Sequence, residues 1–140
     1  AKIFAPSFVK TPAKTPAKTP AKDTLNNIMQ PKIRNELIQQ LNQARSPYVV
    51  LSAPLLFENQ LQSYCDITLV IDVDEATQIA RASSRDNVDK AQIQAIISSQ
   101  IERDKRLSLA DDVVTNQGTL DELNFQIDQL HKKYLTLADG

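Results

Sequence analysis

The chain has 140 residues, of which 41% are hydrophobic, and a formal net charge of −1. That length suits one domain, and the hydrophobic fraction supplies a core, so a wholly disordered protein is excluded. Cys65 is the single cysteine, which rules out an internal disulfide, and no run approaches the roughly 18 apolar residues that span a bilayer. These features predict a cytoplasmic protein without a membrane segment.

Residues 1–23 are predicted to form an extended, mobile segment outside the folded domain. Thr-Pro-Ala-Lys occurs three times over 11–22, and a proline at every fourth position removes backbone donors and blocks a helix. The basic residues of this segment could meet phosphates or nucleic acid, but a solvated tail is the favoured interpretation, so nucleic acid is not expected as a partner. The start at Ala1, without a methionine, favours a chain cut from something longer.

A helical pattern follows the repeats. Apolar residues recur at 3.6-residue spacing from Leu25 to Leu41, and Asp23 or Thr24 can cap the start. Pro31 is expected to interrupt this pattern and to open a second helix at its first turn.

Three short, β-rich runs then alternate with helices. The runs are Tyr48–Ala53, Ile67–Asp72 and Asp112–Asn116. Asp74 is a predicted helix cap, Asp89 with Gln92 resembles a capping box, and Thr119 with Glu122 forms another capping box for the last helix. Strands that alternate with helices indicate a parallel sheet, so the predicted fold is α/β with about three strands flanked by helices.

The scarcity of glycine is the feature of the sequence that most restricts how the chain could bind phosphates. Only Gly118 and Gly140 are present. The phosphate cradle of P-loop proteins needs Gly-x-x-x-x-Gly-Lys-Ser/Thr after a strand, because glycines let backbone amides approach the phosphates. These 140 residues therefore cannot build such a cradle.

Five segments carry a family resemblance: Leu25–Arg34, Pro54–Glu58, Ala80–Asp86, Ser99–Arg103 and Ala110–Gly118. In this order they resemble the dephospho-CoA kinase family, which uses ATP to phosphorylate the ribose 3′-hydroxyl of dephospho-CoA in coenzyme A synthesis. The resemblance covers about residues 24–138. It implies an incomplete P-loop-kinase-like domain over that range, with a helical lid at about 75–108.

The resemblance also implies ATP and dephospho-CoA as partners, and Mg²⁺ for the complete enzyme. No cofactor, metal ligand or catalytic residue is assignable to this chain alone, and its oligomeric state is not predicted. Lid residues Arg85, Arg81 and Arg103 would reach the ATP phosphates, where fork geometry and permanent charge matter. The alternative is that these arginines form salt bridges on helix surfaces.

Two further groups of site residues follow from the resemblance. Asn116 and Gly118 would line the adenine; they also suit a plain turn in which Asn116 caps the strand end and Gly118 takes a positive φ. The acceptor substrate would be bordered by Pro54, Leu55, Leu56, Phe57 and Glu58. The three apolar members of that segment also suit a core, and Glu58 is the most site-like.

Three other polar residues favour plainer interpretations. Asp111 and Asp112 could pair on a metal, but a cap followed by a strand start is favoured. His131 lies beside Lys132 and Lys133, which favours a solvated helix face over a catalytic histidine.

Three departures from the family pattern stand out. The phosphate-binding loop and the expected catalytic base are missing, Gln30-Pro31 stands where the family has His-Pro, and the Thr-Pro-Ala-Lys repeats replace a compact connection. The chain is therefore expected to be catalytically incomplete. The alternatives are a non-catalytic adenine-nucleotide-binding or interaction module, and a decayed gene product without function.

Overall fold

The computed structural model describes residues 2–4 and 20–139. The strands are β1 (Lys2–Phe4), β2 (Val49–Leu51), β3 (Ile67–Asp72) and β4 (Asp112–Thr115). The α-helices are α1 (Pro20–Gln43), α2 (Glu75–Asp86), α3 (Lys90–Ser98), α4 (Arg103–Leu109) and α5 (Leu120–Asp139), and a 3-10 helix covers Leu61–Tyr64. The strands pair in parallel in the order β2-β1-β3-β4, which confirms the α/β class.

Strand β1 was not predicted: it is a fourth strand where three were expected, and it lies within residues 1–23, which were expected to be mobile and outside the folded domain. It lies inside the sheet, where Ile3 pairs with Val50 on one side and with Ile67 on the other. Three residues carry no periodicity that a sequence pattern can show, and they become a strand because two neighbours satisfy their backbone groups. Residues 5–19, which hold most of the repeats, lie outside the described residues.

Helix α1 is continuous, so the predicted break at Pro31 is wrong. Proline removes one backbone donor, and the carbonyl of Asn27 loses its partner. Residues 27–36 are all exposed, so water can bond that carbonyl. The helix also begins at Pro20, before the predicted caps, because proline at the first helical position sacrifices no helix bond.

Only the end of the apolar stripe on α1 enters the core. Leu41 is buried, and Leu37 packs partly against the same cluster. The exposed apolar side chains of the stripe are Leu25, Ile28, Met29 and Ile33. The first half of α1 therefore gains little from burial against the rest of the described chain.

The core consists of two apolar clusters on opposite faces of the sheet. The first contains Leu41, Leu51, Leu56, Phe57 and Val70, and the second contains Leu69, Val114 and Tyr134. Leu69 and Val70 are neighbours in β3, and successive strand residues point to opposite faces. The sheet is therefore covered on both sides, as expected for parallel strands.

The predicted helix caps of α2, α3 and α5 are confirmed. The Asp74 carboxylate accepts a hydrogen bond of 2.7 Å from the backbone N–H of Thr77, and Asp89 accepts one from Ala91. Before α5, the N–H of Thr119 donates to Glu122 at 2.7 Å, and the N–H of Glu122 donates to the Thr119 hydroxyl at 3.2 Å. These bonds set where α2 and α5 leave the sheet.

Helix α5 is tied to the start of β4 by a buried hydroxyl. Tyr134 Oη donates to Asp112 Oδ2 at 2.8 Å, and Lys133 Nζ lies 2.6 Å from Asp112 Oδ1. Burial, together with the hydrogen bond to Asp112, raises the pKa of Tyr134.

Replacing Tyr134 with phenylalanine is expected to lower the free energy of unfolding by about 1–2 kcal/mol, because a hydrogen bond to a charged group is lost at a buried site. Urea denaturation measures the change. Tyr64→Phe is the matched control, since the described chain offers no partner to that half-buried hydroxyl. Equal effects of the two substitutions would contradict the role assigned to the Tyr134 bond.

No helix within residues 20–139 combines the length and apolar character that crossing a bilayer requires.

Candidate functional site

The carboxyl ends of β3 and β4 form the floor of the candidate site. Asp72 and Thr115 end the two strands side by side, and the N–H of Asn116 continues the ladder by donating to the Asp72 carbonyl at 2.7 Å. Strand β1 has β2 on one side and β3 on the other. The connection after β1 leads to one side of it, and β3 and β4 are added on the opposite side, so the strand order reverses beside β1. Ligands of α/β sheets collect at the carboxyl ends beside such a switch point.

Arg103 reaches this floor from the first position of α4. Its Nε donates to Asp72 Oδ1 at 2.9 Å and its Nη2 to Asp72 Oδ2 at 2.6 Å. The hydrogen bond from Arg103 is the main reason that the pKa of Asp72 lies below its ordinary value, with added attraction from Arg103 and Arg106. The pair is therefore ionised and bidentate at neutral pH.

Arg81 reaches the same floor from α2. Its Nη1 donates to the backbone carbonyl of Asn116 at 2.6 Å. Asn116 is thereby held through its N–H by β3 and through its carbonyl by α2. Two helices of the predicted lid region thus place a guanidinium at the ends of β3 and β4.

Arg85 does not join them in this structure. Its Nε and Nη2 donate to the carboxylate of Asp86, the next residue, at 2.8 and 2.7 Å. That hydrogen bond raises the pKa of Arg85. The salt-bridge alternative therefore describes Arg85 here, and Arg103 likewise forms a salt bridge, with Asp72; the phosphate role of each stays a prediction.

The loop after β4 borders an open groove of about 600 Å³. Its lining residues are Thr115, Gly118, Asp121, Glu122, Phe125 and Gln126. The Gln126 side chain bonds the backbone of Thr115 in both directions, with Nε2 2.9 Å from the carbonyl and Oε1 3.0 Å from the N–H. Two carboxylates and no cation line the groove, so it disfavours phosphates and suits an uncharged ring.

The expected positive φ at Gly118 is wrong, since no glycine of the described chain has one. A different constraint selects glycine. A Cβ at this position would lie 1.8 Å from Glu122 Oε2, because the capping-box carboxylate folds over residue 118.

Gly118→Ala is therefore expected to displace Glu122 from the N–H of Thr119 and to cost about 0.5–1 kcal/mol of stability. Thermal unfolding of four proteins tests this: the original chain, Gly118→Ala, Glu122→Ala and the double variant. The added alanine should cost nothing once Glu122 is already absent, since the clash is then gone. A full penalty in the double variant would contradict this explanation.

The acceptor-side segment divides into core and surface. Leu56 and Phe57 are buried in the first cluster, which fits the core alternative for them, whereas Pro54, Leu55 and Glu58 are exposed. A backbone bond of 3.0 Å from Asn59 N–H to the Leu55 carbonyl closes the turn. Three side chains of the predicted acceptor wall are thus available to a ligand.

The less favoured metal and catalytic alternatives gain no support. Asp111 Oδ2 accepts from the N–H of Thr68 at 2.7 Å, while Asp112 opens β4 and bonds α5. Among the described residues, no group of three or more His, Cys, Asp or Glu side chains could hold a metal. His131 is exposed and hydrogen-bonds the Tyr48 hydroxyl through Nδ1.

Comparison with known proteins identifies the family of the chain. A family model described as dephospho-CoA kinase (CoaE) matches residues 15–122. The chain belongs to the dephospho-CoA kinase family. It is 48% identical over 113 residues to the dephospho-CoA kinase of Idiomarina loihiensis, covering 81% of this chain and 56% of that protein. It is also 48% identical over 118 residues to that of Haemophilus ducreyi, covering 81% and 58%.

The chain thus spans a little more than half the length of the curated dephospho-CoA kinases that it matches. The fold is shared with a solved structure, described as the crystal structure of TT1252 from Thermus thermophilus, with a TM-score of 0.71 and 22% identity. That match covers 79% of this chain and 58% of the other.

Sequence reasoning missed Asp72, which ends β3 and accepts two hydrogen bonds from Arg103. The available signal was an acidic residue at the carboxyl end of a predicted strand, a position where ligands collect. Its partner Arg103 is 31 residues away along the chain, so no short-range pattern links the two.

Proposed function

We propose that this chain supplies the lid, the adenine-side loop and part of the acceptor wall of a dephospho-CoA kinase, which transfers the γ-phosphoryl group of ATP to the 3′-hydroxyl of dephospho-CoA. The observation that carries the proposal is the convergence of Arg81 and Arg103 on the carboxyl ends of β3 and β4. Phosphoryl transfer depends on positioning and on positive charge around the transferred group, and two guanidinium groups supply both.

The phosphates and the adenine would occupy separate parts of this edge. Arg103 and Arg81 mark the phosphate side, and Arg85 would join them only by leaving its bonds to Asp86. The groove beside Gly118 supports an adenine next to Asn116, because its carboxylates would repel phosphates but not a neutral base. Phe125 adds an exposed ring to the groove wall, and aromatic rings stack on bases.

The acceptor would lie against the exposed face of the turn after β2. Pro54 and Leu55 offer an apolar surface, and Glu58 offers a charge at the end of the segment. The packed side chains of Leu56 and Phe57 fix the turn to the core, so this surface is held in place by residues that do not touch the ligand.

Mg²⁺ belongs to the complete enzyme, and the described residues near the phosphate side do not fit it. Both oxygens of Asp72 are engaged by Arg103, and those of Asp74 by the N–H and the hydroxyl of Thr77. A hard cation needs free carboxylate oxygens or water-filled space beside them. No metal ligand is therefore assigned to this chain.

These residues do not complete the reaction by themselves. The interior strand β1 is followed in the sequence by Ala5, Pro6 and Ser7, and no glycine precedes Gly118. Without a cradle of backbone amides, the transition state loses interactions that are each commonly worth about 3–4 kcal/mol. The proposed behaviour is therefore nucleotide binding without turnover, in the cytoplasm and without a nucleic-acid partner.

Two measurements on the purified 140-residue chain test the proposal. Calorimetry with ATP should give saturable binding, and calorimetry with adenosine should give weaker binding, because the arginines contact only the phosphates. Chromatographic detection of CoA from ATP and dephospho-CoA should give no product above the background. Steady production of CoA would overturn the proposed incompleteness, and the absence of any ATP binding would overturn the nucleotide function.

A further inference from the structure

Asp72 is the one carboxylate at the ends of β3 and β4 that is both buried and fully engaged. Its side chain is 8% exposed, and both of its oxygens accept from Arg103. The family resemblance gives this residue no role. A buried carboxylate is costly unless paired, so its position beside a ligand edge needs an explanation.

The bidentate pair uses only one edge of the Arg103 guanidinium. A guanidinium has five N–H donors, and Asp72 takes the Nε–H and one Nη2–H. The other Nη2–H and both Nη1–H groups remain, and the described chain provides no acceptor for them. Because the Arg103 side chain is 47% exposed, that outer edge is open to a ligand.

Two further arginines lie in the neighbourhood of Asp72 and Asp74, and the carboxylates of Asp104 and Asp74 also act on Arg103. Arg106 lies close enough to contribute to the lowered pKa of Asp72, and Arg81 and Arg103 both contribute to that of Asp74, whose main cause is hydrogen bonding from Thr77. Three arginines and the carboxylates of Asp72, Asp74 and Asp104 therefore share this neighbourhood, and the oxygens of Asp72 and Asp74 already accept hydrogen bonds. The attraction for an anion with several oxygens comes from the N–H donors on the outer edge of Arg103 rather than from a net charge.

We propose that Asp72 is a positioning residue: by fixing the Nε–Nη2 edge of Arg103, it presents the Nη1–Nη2 edge to the phosphates of the nucleotide. This inference rests on the proposed nucleotide function. An arginine without a partner loses rotamer freedom when it binds a phosphate, and that entropy cost weakens binding. An arginine already held by a carboxylate has lost this freedom on folding, so the cost does not fall on the binding step. The carboxylate thus improves binding of an anion that it does not touch.

Binding of ATP, adenosine and inorganic tripolyphosphate to the full chain tests the inference. In Asp72→Asn, affinity for ATP and for tripolyphosphate is expected to fall about three- to tenfold, the range that corresponds to immobilising one long side chain. Adenosine affinity should change less than twofold. Arg103→Lys should cause a similar loss, and adding Asp72→Asn to it should cause little more, because lysine has no second edge to present.

A ¹⁵Nε spectrum of Arg103 reports the anchor directly. The Nε–H signal should be protected from exchange in the original chain, exposed in Asp72→Asn and protected again in Asp72→Glu, which also serves if the asparagine variant does not fold. The inference would be overturned by a folded Asp72 variant in which the Arg103 Nε–H is no longer protected from exchange and tripolyphosphate still binds equally well or more tightly. It would also be overturned if the original chain bound no tripolyphosphate. If tripolyphosphate binds but ATP does not, the nucleotide function fails, and the anion titrations still decide the role of Asp72.

Discussion

Replacing Leu56 with alanine is expected to lower the free energy of unfolding by about 2–5 kcal/mol, the range for truncating a buried leucine. Leu56 is 2% exposed and packs in the cluster with Leu51, Phe57 and Val70, under the turn that follows β2. The loss combines the missing transfer free energy with the cavity left between β2, β3 and α1. Denaturation by urea, followed by circular dichroism, measures it.

The neighbouring residue provides the control. Leu55 is 38% exposed, so Leu55→Ala should cost well under about 1 kcal/mol, while it removes a side chain of the proposed acceptor wall. The two substitutions therefore separate packing from ligand contact within one dipeptide. Similar stability losses at both positions would contradict the division of this segment into core and surface.

A chimaeric enzyme should show the largest change in activity. In it, residues 24–138 of this chain replace the matching segment of the dephospho-CoA kinase from Idiomarina loihiensis, which is 48% identical to this chain over 113 residues. The chimaera is expected to form CoA at least about 10³-fold faster than the 140-residue chain, because a phosphate cradle adds donors worth about 10²–10³ each in rate. Release of ADP and CoA in a coupled assay measures the difference.

Single substitutions in the chimaera test the residues of this chain. Arg103→Ala should lower kcat/KM, whereas Arg45→Ala, which removes the same charge from the loop before β2, should not. A folded but inactive chimaera would show that these residues cannot complete the enzyme. CoA formation by the isolated chain at the rate of an active chimaera would overturn the proposed incompleteness.

Local features of the fold were predictable from sequence because their causes are local. Strand β3 has the predicted bounds, and the capping box of Thr119 and Glu122 forms with both reciprocal bonds. In each case, the residues that decide the structure lie within a few positions of one another. Pro31 was misjudged because an exposed helix tolerates one lost bond when the turns on both sides continue.

Features that depend on distant residues were not predictable. Strand β1 exists only because two other strands flank it, and the Asp72–Arg103 pair joins positions separated by a strand end and two helices. The family pattern points to three arginines and favours Arg85 for the phosphates. In the structure, Arg81 and Arg103 face the strand ends, whereas Arg85 bonds its neighbour Asp86.

The interior position of β1 also has a consequence for the order of folding. Residues 2–4 are made before every other described element, but their partners lie at 49–51 and 67–68. Contacts between positions so far apart in the chain form slowly, since a long loop must close before any hydrogen bond is gained. On the ribosome, β1 can meet β2 first, but its pairing with β3 must wait until β3 has emerged, so the halves of the sheet should join late.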